Sequence, residues 1–286
     1  MLLTPTRPRA DNMAVVDLSE LSQAQFDEAF YRTQTPVLIH NSIANWNTDL
    51  GTPAYFRSRS RNPFVEVQHN PHGIFNVVTD DPAIAKPKRI SMRLTEAADL
   101  IYSEAGSGHY IRHCKLYRMP KDFRADVKRP ALLGPDKTIA ESNFWLNGSN
   151  CKTPLHFDYG DNFLIQVRGR KYLTLFHPRH YDNLYPALGT RLPFMSRVNF
   201  FTPDLAKFPL YSHADAERVD IELRGGDTLY IPPGWWHAVD CPEPSMSVNY
   251  WWNDGTDITT ADRVRKRATN VLRELRDVYI RLFHRN

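Results

Sequence analysis

At 286 residues the chain is long enough to bury the core of one large domain, or of one domain with appendages. It carries 36 Lys or Arg against 32 Asp or Glu, a net charge of +4, and no run of about eighteen apolar residues, so no membrane span is expected. Three cysteines, Cys114, Cys151 and Cys241, are odd in number and widely spaced; they build neither a disulfide framework nor a zinc motif and suit a reducing cytoplasm.

The first residues, MLLTPTRPRADN, lack a long apolar stretch and carry two prolines, so residues 1–16 are expected to form a loose leader and no secretory signal. A domain is expected over 17–256. Ser22 is placed to cap a short helix running to about Arg32, which leads into a strand at Pro36–Ile39. Residues 46–110 mix loops with a strand near Val65–Val67 and a helix at about Leu94–Tyr102. The stretch 114–140 holds several charges and helix breakers, and is expected to be a surface insertion of the kind that shapes substrate access.

Two later segments carry the chemistry. Thr153-Pro-Leu-His156-Phe-Asp158 opens on a Thr-Pro pair that stops a helix and starts an extended segment. Alternate residues of a strand share a side, so His156 and Asp158 can face one metal while Phe157 points away. Gly225-Gly-Asp227 is a turn feeding the apolar run Leu229–Ile231, which Pro232-Pro-Gly234 breaks just before Trp235, Trp236 and His237. A lone His-X-Asp is a weak signal, and a histidine beside two tryptophans can be a packed core residue. Together, His156, Asp158 and His237 would form a two-histidine, one-carboxylate face with open coordination positions, the arrangement of non-haem Fe(II) oxygenases. Between them, Asn162–Val167, the turn Arg168-Gly-Arg170 and Lys171–Phe176 read as a β-hairpin. Lys171 opens an otherwise apolar strand, and a buried unpaired charge is costly. A dicarboxylate co-substrate would supply its partner. His177 and His180 read as turn residues without a metal, and His109 and His113 as strand ends.

From Thr153 to Trp252 the pieces TPLHFDYGDNFLIQVRGRKYLTLFHP, GGDTLYIPPGWWHAV and SVNYWW resemble the JmjC (cupin-like) family of Fe(II)- and 2-oxoglutarate-dependent oxygenases. Within it the sequence is similar to the asparaginyl hydroxylase that inhibits the hypoxia-inducible factor and its protein-hydroxylase relatives. It is also similar to the tRNA wybutosine hydroxylase, which Pro203–Leu223 resembles in particular. A fainter likeness extends upstream through TQTPVLIHNSIANW and GHYIRHCKL. The resemblance implies a mainly β double-stranded β-helix, a jelly-roll barrel over about 144–252, flanked by N-terminal and C-terminal helices. It implies His156, Asp158 and His237 as iron ligands and Lys171, Thr153 and Tyr110 as the grip on the distal carboxylate of 2-oxoglutarate. It places Asn162 and Asn249 beside metal and co-substrate, and Trp251 as an aromatic wall near substrate. Arg112 departs from the family, where the asparaginyl hydroxylase has a neutral amide; a cation there favours an acidic or phosphate-bearing substrate group. Phe144, Trp145, Tyr159, Trp235, Trp236 and Trp251 would make a dry surround, most of them also serving as core.

The C-terminus is of another kind. Asp262–His284 lacks Pro and Gly and sets Val264, Ala268, Val271, Leu275, Val278 and Leu282 on one helical stripe. From Asp257 onward eight Lys or Arg face four Asp or Glu, a net +4 that equals the net charge of the whole sequence. Over 257–286 the stripe is read three ways: packed on the barrel, paired with its copy in a homodimer, or carrying a basic face toward RNA or another anionic partner. The expected function is a dioxygenase that uses Fe(II), 2-oxoglutarate and O2 to hydroxylate a C–H bond of an amino-acid side chain in a protein or peptide, releasing succinate and CO2. Alternatives are a tRNA modified-base hydroxylase, a hydroxylase of a free amino acid or natural product, an N-methyl-lysine demethylase, and a non-catalytic cupin binding module.

Overall fold

The computed structural model describes residues 13–75 and 86–253. Strand β1 (Ala14–Asp17) lies parallel to β2 (Val37–His40). Residues 14–16, expected in the leader, are therefore part of a sheet: a short apolar run is enough for one edge strand once β2 supplies the ladder. Between them Ser22 caps α1 (Gln23–Phe26). Its hydroxyl accepts the Gln25 backbone N–H, and the Gln25 side chain accepts the Ser22 N–H, a reciprocal capping box. The helix widens into a π-helical turn over Asp27–Tyr31.

Next come α2 (Pro53–Arg57), β3 (Phe64–His69), β4 (Lys88–Arg93), α3 (Leu94–Tyr102) and β5 (His109–Lys115). Helix α3 has the span its pattern predicts and buries Leu94, Ala97, Ala98 and Ile101, one i, i+3, i+4, i+7 face. The segment expected to be a surface insertion is anchored in the core instead. It holds a 3-10 turn at Leu116–Arg118 and α4 (Lys121–Asp126), and Leu116, Met119, Phe123, Val127, Leu132 and Leu133 are all buried, in one cluster with Phe56 and Phe144. Arg118, Lys121 and Arg124, whose charges gave the surface reading, project outward between these anchors.

The barrel consists of β6 (Thr138–Asn147), β7 (Cys151–Phe157), β8 (Asp161–Arg168), β9 (Arg170–Phe176), β10 (Val219–Arg224), β11 (Thr228–Ile231), β12 (Trp236–Cys241) and β13 (Ser245–Asn253), with α5 (Tyr211–Asp215) in the long connection between β9 and β10. It starts at Thr138, earlier than the expected Phe144. Its strands fall in two sheets: β11-β8-β13-β6, extended by β2-β1 on one side and β5-β3-β4 on the other, and β10-β9-β12-β7. This is a double-stranded β-helix of the jelly-roll class.

The hairpin expected from β8 to β9 is absent. β8 pairs with β11 and β13, whereas β9 pairs with β10 and β12, so the turn at Arg168–Arg170 leads from one sheet to the other. Gly169 permits it: its φ is +68°, and a Cβ there would lie 2.5 Å from the Pro244 carbonyl oxygen. Gly169→Ala is expected to lower stability by about 1–3 kcal/mol, the scale of one strained backbone site. A urea midpoint that falls with an unchanged slope would report it.

The outer face of the larger sheet buries Phe144, Phe163, Ile165, Tyr230, Val248 and Trp252 against the N-terminal elements. The smaller sheet buries Leu155, Phe157, Phe176 and Trp236 under the 177–218 connection, through Leu184, Val198, Phe208 and Tyr211. The inner faces carry a third apolar cluster, with Leu173, Leu175, Leu223, Leu229 and Val239, beside the polar residues of the site. The C-terminal stripe at Asp262–His284 lies outside the described residues.

Candidate metal centre and co-substrate pocket

β7 and β12 are antiparallel neighbours, and their register sets His237 directly opposite His156. Asp158 lies one residue beyond the end of β7. Its carbonyl accepts the N–H of Gly234 at 2.9 Å, which ties the Pro-Pro-Gly turn before His237 to the strand that carries His156. Gly234 makes that turn at φ +79°. One ligand atom from each of His156, Asp158 and His237 lies within 4.8 Å of the other two, and His237 Nε2 is 4.0 Å from Asp158 Oδ2.

Both imidazoles are oriented from behind. His156 Nδ1–H donates to the Pro154 carbonyl at 2.8 Å and His237 Nδ1–H to the Trp235 carbonyl at 3.1 Å. These bonds fix the tautomer and leave each Nε2 lone pair free to bind a metal. Desolvation, and then the facing His237, hold the His156 pKa well below the ordinary histidine value, so that ring is neutral. Two imidazoles and a carboxylate on one face, backed by backbone acceptors, fit a divalent transition metal with open positions.

Asp158 is held by two arms that converge on Oδ2. Trp251 Nε1–H donates to it at 2.9 Å and Asn162 Nδ2 at 3.2 Å. The second arm continues outward: Asn249 Nδ2 donates to Asn162 Oδ1 at 3.4 Å, and Trp145 Nε1–H to Asn249 Oδ1 at 2.8 Å. Trp251, expected as an aromatic wall, is thus also a donor to the carboxylate. Trp251→Phe keeps an aromatic ring and removes the N–H. It is expected to weaken Fe(II) binding about 10–100-fold, as losses of such outer-shell bonds do; competition with a chromophoric chelator would measure it.

Deeper in the barrel, Lys171 is 2% exposed. Its ammonium donates to Ser247 Oγ at 2.6 Å and faces the Tyr110 ring at 6.0 Å. Lys171 makes no ion pair among the described residues, and burial lowers its pKa. Tyr110 and Thr153 are hydrogen-bonded to each other in the same recess, and burial holds the Tyr110 phenol protonated. Lys171, Ser247, Tyr110 and Thr153 form a polar end wall with an uncompensated cation, which fits an entering carboxylate. Sequence reading missed Ser247. The signal was present, since Ser247, Asn249 and Trp251 alternate along β13 and so share its inner face.

Arg112 is part-buried. Its guanidinium lies 5.6 Å from the Phe75 ring and 5.7 Å from the Tyr110 ring, and Nη1 donates to Gln68 Oε1 at 3.5 Å. Tyr159 is exposed at the rim, 6.3 Å from Phe194. Phe144 and Trp236 lie in the outer clusters, away from the donors. His177 and His180 sit at a 3-10 turn outside the cluster.

A cupin-like domain matches residues 23–258. The protein belongs to this cupin-like family. Among curated relatives, the JmjC domain-containing protein D of Dictyostelium discoideum is 44% identical over 152 residues, 49% of this chain and 34% of its own length. The Jumonji C domain-containing protein 5 of Drosophila melanogaster is 27% identical over 87% of this chain and 62% of its own. The lysine-specific demethylase JMJ30 of Arabidopsis thaliana is 28% identical over 85% of this chain and 56% of its own. The match thus spans between a third and two thirds of the length of these cupin-like relatives. They carry the JmjC likeness; neither hydroxylase to which the motifs pointed is among them.

Proposed function

We propose that the protein is an Fe(II)- and 2-oxoglutarate-dependent oxygenase that oxidises a C–H bond in an amino-acid residue of another protein. The observation that carries this reading is Lys171, a buried cation with no carboxylate partner among the described residues, on the face of β9 that also carries Leu175, the residue paired with His237. A structural metal needs no such end wall; a dicarboxylate that also reaches the metal does. The bound iron would supply O2 activation coupled to decarboxylation of 2-oxoglutarate. The protein's own part is to present two imidazoles and a braced carboxylate, to grip the far carboxylate with Lys171, Tyr110 and Thr153, and to hold the target C–H in line.

Members of the family use Fe(II) and 2-oxoglutarate, and relatives named lysine-specific demethylases favour a protein substrate over RNA. The same names favour a second reaction. Hydroxylation of an N-methyl group gives a hemiaminal that loses formaldehyde, so one site chemistry serves both outcomes. Anaerobic titration with Fe(II) and 2-oxoglutarate is expected to develop a visible charge-transfer band. A folded, iron-loaded protein without that band would leave only the binding-module reading. Peptides bearing unmodified or N-methylated lysine then separate the reactions by mass: a gained oxygen atom is hydroxylation, and a lost methyl group is demethylation.

A further inference from the structure

His113 lies in β5, three residues after Tyr110, and is not one of the groups assigned above. Its backbone is left-handed, with φ +51°, which is unusual for a residue with a Cβ. It sits where the β5–β6 register shifts between Ile111 and Cys114, a bulge in the ladder. Bulges beside active sites re-aim a side chain, and strained residues persist where the surroundings hold them. Here the imidazole is aimed onto two indoles. Its ring centroid is 4.3 Å from that of Trp145 and 6.3 Å from that of Trp251, nearly parallel to the latter at 17°.

Those two indoles are the outer ends of the arms that hold Asp158. Trp251 donates to Asp158 directly, and Trp145 acts through Asn249 and Asn162. We infer that His113 is a positioning residue for the metal centre, a single ring that braces both indoles so that their N–H groups stay on the arms leading to Asp158. The strained turn is retained because a relaxed β5 would carry this side chain elsewhere. Desolvation, and then the Arg112 guanidinium, push the His113 pKa down to about 4, which keeps the ring neutral and suited to stacking. The inference rests on the metal reading of the triad.

The test is iron affinity, read by competition with a chromophoric chelator, alongside thermal unfolding. His113→Gly removes the ring and accepts the left-handed backbone; His113→Asn removes the ring and tolerates that backbone; His113→Phe restores an aromatic ring. Gly and Asn are each expected to weaken Fe(II) binding about threefold to tenfold, below the range for a direct outer-shell loss. Phe is expected to stay within about twofold of wild type, the scatter of such titrations. Should the Gly protein not fold, the Asn and Phe pair carries the comparison. Wild-type iron affinity in the Asn variant, or an equal loss in Phe and Asn, overturns the bracing role and leaves the triad reading intact. A wild-type protein that binds no Fe(II) overturns both.

Discussion

Lys171→Ala is expected to weaken 2-oxoglutarate binding by about 2–5 kcal/mol, the cost of losing one partner of a buried charge pair. That is about 30-fold to a few thousandfold in dissociation constant, at about 1.4 kcal/mol per tenfold. The loss should appear in the anaerobic charge-transfer titration as a right-shifted midpoint, with Fe(II) binding unchanged. The fold makes a second, opposite expectation. In the co-substrate-free protein Lys171 is a buried ammonium with one hydroxyl and a ring face for company. A desolvated charge in such company is a cost to folding. Lys171→Met, which roughly keeps the length and removes the charge, should therefore melt no lower than the wild type without 2-oxoglutarate, and lower than the wild type with it. A structural lysine would behave the other way, losing stability in both conditions. Affinity for 2-oxoglutarate within about twofold of wild type would remove Lys171 from the pocket.

What could be read from the sequence follows the physics of each element. Helix α3 was legible because Leu94, Ala97, Ala98 and Ile101 write a helical face into local sequence. The pairing of His156 with Asp158 was legible because strand alternation is local too. The sheet assignment of β8 and β9 was not. Period two is the same for a strand that folds back on its neighbour and for one that crosses to a facing sheet; what decides is the partner ladder, and β13 and β12 lie far along the sequence. The 114–140 segment misled for a related reason. Its charges stand out locally, whereas the anchor Phe123 packs against Phe56 and Phe144, and Leu132 and Leu133 join the same cluster, all through partners distant in sequence. Within the site, the ligand triad came from motif and spacing, but the arms on Asp158 did not. Trp145 on β6 and Asn249 on β13 meet because those two strands pair, although about a hundred residues separate them in the sequence, and the bulge that turns His113 toward them leaves no mark in composition.

Asp158→Ala is expected to abolish the charge-transfer band and all succinate formation, and Asp158→Asn to do nearly the same. The two variants differ in what they leave behind. Alanine strands two donors, the Trp251 indole N–H and the Asn162 amide, that now converge on Oδ2. Unsatisfied buried donors cost about 1–3 kcal/mol each. The Ala protein should thus unfold earlier than the wild type. Asparagine keeps an oxygen acceptor and loses only the charge, so it should fold like the wild type while holding iron poorly. The comparison separates metal loss from structural damage, which His156→Ala alone does not. The β7–β12 ladder that sets the histidines opposite each other is made of backbone bonds and survives any of these substitutions. Succinate formation at the wild-type rate in a His156→Ala, Asp158→Ala double variant would place the chemistry elsewhere. Loss of it in well-folded Asp158→Asn would tie turnover to the charge of one carboxylate and to the two arms that aim it.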